Sequence, residues 1–118
     1  MIDVNLMVEK IESYALATIN RPKYNFFSLE IVNEISEMLE KFRNDWSVRS
    51  IIVTAAGDQF FTAGWNIRTK EAYNYYESLR FREVIHAVET YPKPVIIAMN
   101  GHSFGGACEL ALGCHFRI

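Results

Sequence analysis

The residues best suited to chemistry lie toward the end of the chain, in KPVIIAMNGHSFGGACELALGCHFRI, Lys93 to Ile118. The stretch reads as a buried strand, a glycine-rich turn and a short helix entered through Gly105-Gly106. One carboxylate, Glu109, stands inside that helix among Ala107, Cys108, Leu110, Ala111 and Leu112, where it is expected to be buried and poised for proton transfer. Glycines let a bound group approach the backbone, and a helix N-terminus offers unpaired N–H donors to negative charge. The same letters spell Gly101-His102-Ser103-Phe104-Gly105, the G-x-S-x-G pattern of a serine nucleophile on a strand-to-helix turn. The stretch taken alone therefore admits two chemistries: backbone capture of an anion beside Glu109, or attack by Ser103.

Against the serine reading, the earlier glycines Gly57 and Gly64 each follow an alanine, so no His-Gly oxyanion segment precedes Ser103. Glu109 and His115 follow the serine within the adjoining helix and its exit, too close to return as triad partners from separate loops. His86 and His102 read as a helix-surface and a loop histidine. Tyr73, Tyr75 and Tyr76 read as a partly buried helix face that could also line a tunnel. Cys108 and Cys114, six residues apart on a helix, point about 240° away from each other. They are poor partners for a bond or a metal, and both read as buried free thiols.

The elements that must hold these groups alternate in type. Leu6-Met7-Val8 and Tyr14 to Ile19 form a hairpin around the polar Glu9–Ser13, and Pro22 ends its second strand. Ser28 is the expected N-cap of an amphipathic helix whose stripe is Val32, Ile35, Leu39, Phe42 and Trp46. Ile51-Ile52-Val53-Thr54 is apolar without alternation, which predicts a strand covered on both faces. Phe60 to Gly64 is a second compact apolar segment. A helix follows between Thr69 and Tyr91, with Leu79, Phe81, Ile85 and Val88 on its stripe, and Pro92 and Pro94 launch the strand at Val95. Hairpin, helix, strand, helix, strand, helix is the order of an α/β layer architecture. His115 to Ile118 looks like the start of another strand, so the chain is expected to be part of something longer.

The 118 residues suffice for a core, and a 50% apolar, 22% charged composition is that of a globular domain. The net charge of −2 is spread along the chain, which gives no basic surface for nucleic acid or anionic lipid. The aliphatic runs are too short to span a bilayer, and residues 1–10 lack a basic leader region. The expected location is cytoplasmic, with no nucleic-acid or membrane partner.

Three stretches, in order, resemble the crotonase superfamily of enoyl-CoA hydratases and isomerases. They are Ala17-Thr18-Ile19-Asn20-Arg21-Pro22-Lys23 leading to Asn25 and Ser28; Val48 to Thr54 with Phe61-Thr62-Ala63-Gly64-Trp65-Asn66-Ile67; and Lys93-Pro94-Val95 through Leu112. The resemblance implies a crotonase-like stack of ββα units, truncated, with residues 1–118 forming the N-terminal part of a single domain. It also implies an acyl-CoA thioester substrate, assembly as a homotrimer or hexamer, and no metal or cofactor other than the coenzyme A carried by the substrate. By motif position the backbone N–H groups of Trp65 and Gly106 would form an oxyanion hole, and Glu109 would be one of two acid/base glutamates, the second lying past Ile118. Gly64, Trp65, Asn66, Ile67, Arg68, Gly105, Gly106 and Lys23 would contact substrate or coenzyme A. Trp65 stands where the family has a small residue, which a main-chain donor tolerates. Asn66 and His115 each replace an aspartate of the family pattern. The implied reaction is syn addition of water to an α,β-unsaturated thioester. A serine esterase using Ser103, and a non-catalytic piece that binds acyl-CoA or a partner subunit, are the alternatives.

Overall fold

β1 (Leu6–Ile11) and β2 (Tyr14–Ile19) pair antiparallel, Leu6 opposite Ile19 and Ile11 opposite Tyr14. The hairpin is as expected, with its second strand at the expected bounds, but its first strand is longer and the turn is only Glu12-Ser13. Glu12 takes φ 52°, a conformation usually left to Gly or Asn, so the turn carried no sequence signal. The computed structural model describes residues 5–66, 68 and 74–118 of the chain.

Ser28 caps α1 (Leu29–Arg43), its side chain accepting the Ile31 N–H at 3.3 Å. Ile31, Val32, Ile35, Met38, Leu39 and Phe42 are buried at the 3–4 spacing that one helix face requires. Trp46 does not join that stripe. It lies past the helix end and is 60% exposed.

β3 (Ser50–Ala55) runs parallel to β2 and buries Ile51, Val53 and Ala55, leaving Ile52 and Thr54 half-buried. Its faces are thus unequal, where the unbroken apolar run predicted cover on both. Next come β4 (Phe60–Thr62), α2 (Tyr75–Glu89), β5 (Val95–Ile97), β6 (His102–Ser103), α3 (Gly106–Gly113) and β7 (Phe116–Arg117). The main sheet has the order β1-β2-β3-β5-β7, parallel from β2 onward, while β4 and β6 pair in a separate parallel ladder.

The sequence order β3-β4-α2 followed by β5-β6-α3 is a repeated ββα unit. First strands of each unit extend the main sheet; second strands build the small one. β4 and β6 are too short to show a period in sequence, and the alternation of strands with helices passed over them.

On α2 the core positions are Phe81, Val84 and Val88, with Ile85 half-buried and His86 exposed. Leu79 is 41% exposed, and Tyr75 and Tyr76 are 83% and 62% exposed, so these tyrosines do not form a buried face. Tyr73 lies outside the described residues.

Lys93 is 2% exposed. Its ammonium donates to the Phe42 and Asp45 carbonyls at the C-terminal end of α1 and lies 4.6 Å from the centre of the Trp46 ring. A cation at that end of a helix meets its partial negative charge. Lys93 thereby ties α1 to the entry of β5, the strand that leads to the glycine turn.

Candidate active site

Gly64 is the tightest point of the first arm. Both peptide planes flanking it are held: the Gly64 N–H donates to Thr62 Oγ1 at 3.0 Å, and the Gly64 carbonyl accepts the Phe27 N–H at 2.9 Å. In a planar trans peptide the N–H lies opposite the C=O, so the Trp65 N–H points away from Phe27. Gly64 takes φ 82°, and a Cβ on it would lie 2.7 Å from the Phe104 carbonyl oxygen and 3.2 Å from the Gly106 nitrogen. Only glycine fits where the two segments come this close.

The loop before α1 supports this arm. Asn25 is fully buried at φ 51°; its side chain accepts the Arg21 N–H and donates to the Ala56 and Phe60 carbonyls. The Ala63 N–H donates to the Tyr24 carbonyl at 2.9 Å. A stretch that sequence reading recognised only by its pattern therefore works as a clamp along residues 60–64.

The second arm is the start of α3. Gly105 is its N-cap at φ 53°, with no side-chain capping bond. The Ala107, Cys108 and Glu109 N–H groups donate to the Phe104 and Gly105 carbonyls, whereas the Gly106 N–H donates to no acceptor among the described residues. A Cβ on Gly106 would sit 3.1 Å from Trp65 Cδ1 and 3.2 Å from a Phe27 ring carbon. The Trp65 indole is buried, edge-on to Phe81 with ring centres 5.6 Å apart. Trp65 is thus a core aromatic and a wall of the site at once.

A cleft of about 720 Å³ opens over both arms, lined by Trp65, Asn66, Arg68, Gly105, Gly106 and Glu109 among others. Glu109 reaches it from one turn into α3 but is exposed, not buried as expected. The helix is apolar on every side, so sequence gave no stripe to orient it. Ala107, Leu110 and Ala111 turn inward, and Cys108, Glu109 and Leu112 outward. Cys108 is therefore not the buried thiol expected, while Cys114 is buried.

Gly64 shapes the site from behind and is not among the lining residues. Asn66 accepts the Arg68 N–H at 3.1 Å, closing a short turn, and Arg68 is exposed on the cleft. Ile67 lies outside the described residues. Lys23 lines an adjoining cleft of about 540 Å³ with Arg21 and Asn20, and the two clefts share Tyr24 and Phe26. Sequence reading missed the aromatic wall of Tyr24, Phe26, Phe60 and Phe104, in which Tyr24 and Phe60 meet edge-on at 5.0 Å. Those rings lie on two loops and a three-residue strand, where no periodicity marks a common face.

The serine arrangement is not assembled. Ser103 Oγ donates to the Gly101 carbonyl at 3.4 Å, and the positive φ of the turn falls on Gly105 rather than on the serine. The Val95 N–H donates to His115 Nδ1 at 2.9 Å, which leaves the proton on Nε2, facing the Glu89 carbonyl at 3.1 Å. His102 stacks on Phe104. Among the described residues no histidine is hydrogen-bonded to Ser103 and no cluster of three or more His, Cys, Asp or Glu could hold a metal.

The sequence model of the enoyl-CoA hydratase/isomerase family matches residues 9–118. The chain belongs to that family. Within the enoyl-CoA hydratase/isomerase family it is 36% identical to the short-chain-enoyl-CoA hydratase of Clostridium acetobutylicum, over 97% of this chain and 46% of that protein. It is 37% identical to the crotonyl-CoA hydratase of Syntrophomonas wolfei, with the same coverage of 97% and 46%. The crystal structure of an enoyl-CoA hydratase from Bacillus anthracis superposes with a TM-score of 0.88 at 30% identity, over 97% of this chain and 46% of that one. The crotonase-like α/β fold expected from the sequence is the fold found, and the chain spans about half the length of the curated relatives it matches. No described helix is long and apolar enough to cross a membrane.

Proposed function

We propose that the protein hydrates α,β-unsaturated acyl-CoA thioesters, using the Trp65 and Gly106 N–H groups as an oxyanion hole and Glu109 as a general acid/base. The observation that carries the reading is the approach of the two arms: a Cβ on Gly64 would lie 3.2 Å from the Gly106 nitrogen, and both arms border the cleft that Glu109 enters. As water adds to the β-carbon, the thioester carbonyl gathers negative charge. Donors fixed where that charge develops stabilise it, and losing one costs on the order of 10²–10³ in rate. Glu109 takes a proton from the attacking water, whose hydroxyl joins the β-carbon, and a proton is delivered to the α-carbon on the same face. A second carboxyl group, beyond Ile118, shares this proton transfer.

In this reading Arg68 and Lys23, which line adjoining clefts, meet the phosphates of coenzyme A, and Asn66, Ile67 and Gly105 contribute contacts nearer the thioester. The reaction needs no metal or cofactor beyond the coenzyme A of its substrate. We further propose a homotrimeric or hexameric assembly and a cytoplasmic location. The test is hydration of crotonyl-CoA by the intact protein, followed as loss of the conjugated thioester absorbance. Glu109→Gln should lower kcat by about 10²-fold or more, and Ser103→Ala should leave it unchanged. Loss of turnover in Ser103→Ala with Glu109→Gln intact would hand the site to an acyl-serine mechanism. Normal acyl-CoA binding with no turnover in the parent protein would make it a binding module.

A further inference from the structure

Thr62 is fully buried, yet neither the core nor the proposed chemistry asks for a hydroxyl there. Its side chain is the acceptor for the Gly64 N–H at 3.0 Å, and its carbonyl accepts the Phe104 N–H at 3.2 Å. Thr62 and Ser103 are also paired in the β4–β6 ladder. One residue therefore touches both segments from which the two proposed donors emerge. We infer that Thr62 is a positioning residue: its hydroxyl, acting with the Phe27 N–H on the other side of Gly64, sets the direction of the Trp65 N–H relative to the Gly106 N–H.

The peptide between Gly64 and Trp65 can turn about the two backbone bonds of Gly64, and glycine resists such rotation less than any other residue. The Phe27 N–H fixes the far plane through the Gly64 carbonyl. The near plane, between Ala63 and Gly64, is fixed through its N–H by Thr62 Oγ1. With both planes held, φ 82° at Gly64 is determined and the Trp65 N–H has one direction. Remove the hydroxyl and the Gly64 N–H, buried and out of reach of water, must rotate to find an acceptor. The far plane hangs from the same Cα, so turning the near plane tilts the far one about its Phe27 contact and shifts the Trp65 N–H; a displacement of about 1 Å in a reacting site is enough for a 10²-fold loss in rate. The Phe104 bond to the Thr62 carbonyl is independent of side chain, so it keeps the arms joined in any variant; only the orientation depends on the hydroxyl.

This inference rests on the proposed oxyanion hole, and its test separates the two. In the intact protein, Thr62→Ser and Thr62→Ala lose the same methyl group and differ only in the hydroxyl. Thr62→Ser should keep kcat for crotonyl-CoA within about 3-fold of the parent; Thr62→Ala should lower it about 10-fold or more with KM little changed. The Gly64 amide proton, read by NMR without substrate, should exchange at least about 10-fold faster in Thr62→Ala than in Thr62→Ser. Thr62→Val, which restores the bulk but not the acceptor, should behave as Thr62→Ala. Equal rates in the Ser and Ala variants, or equal protection of the Gly64 amide, overturns the positioning role, as does recovery of kcat by valine. If the parent does not hydrate crotonyl-CoA, the proposed reaction fails, while the Gly64 exchange comparison still decides whether the hydroxyl holds this peptide.

Discussion

Gly64 and Gly106 show how much a missing side chain can do. Gly64→Ala places a Cβ against the Phe104 carbonyl and strains a backbone at φ 82°, two penalties that no rotamer change relieves. It should lower stability by about 1–3 kcal/mol in denaturant titration and reduce kcat for crotonyl-CoA by about 10²-fold. Gly106→Ala meets only the ring edges of Trp65 and Phe27, which can shift, so its loss of stability should be smaller. The importance of these glycines was legible from their place in Ala63-Gly64 and Gly105-Gly106. That Gly64 acts from behind the cleft was not, because the contact that demands it comes from residue 104, distant in sequence. The same limit applies to Thr62, a threonine in an apolar run, whose hydroxyl acquires a purpose only when Gly64 folds back over it.

The helices were legible where their faces differ, as in α1, whose Ser28 cap and buried stripe follow the predicted spacing. They were not where every face is alike, as in α3, which left Glu109 and Cys108 exposed against expectation. Lys93 is a third case, a charged residue between Pro92 and Pro94 to which the sequence assigns no separate role: it is buried because the carbonyls of Phe42 and Asp45, at and just past the end of α1, converge on its ammonium. Lys93→Met keeps the apolar stem and removes these bonds. It should lower stability by about 1–3 kcal/mol, seen as a lower urea midpoint with an unchanged m-value. An unchanged midpoint would show that the cap contributes nothing net. Because Lys93 stands at the entry of β5, partial opening there should also raise amide exchange in β5 before it affects β1 and β2.

At the level of the molecule, two ββα units place their second strands side by side, and the site lies where those strands end. The parallel order of β2, β3, β5 and β7 forces each connection to cross over through a helix, which brings the start of α3 back beside the exit of β4. The core that supports this is pH-sensitive on its alkaline side. Burial pushes the Cys114 thiol from 9.0 up to about 11, against a smaller opposing effect of Arg117. Burial likewise raises Tyr91 to about 12, where its hydroxyl donates to the Leu39 carbonyl. A raised folded-state value means that the native state keeps its proton while the unfolded chain releases it. The contribution of Cys114 is therefore complete below pH 9.0 and is lost as pH rises through about 11. Thermal unfolding should show Tm falling across that interval, and falling less in Cys114→Ala. A flat profile in the parent protein would contradict the burial of the thiol.

In the proposed function two backbone N–H groups, from Trp65 and Gly106, grip a thioester oxygen beside Glu109. The infrared carbonyl stretch of crotonyl-CoA bound to the intact Glu109→Gln protein, where turnover is suppressed, reads that grip directly. The stretch should lie at lower frequency than for the same thioester free in water, with the displacement reduced when Gly64→Ala is added. A bound thioester whose carbonyl vibrates as it does in water would contradict it.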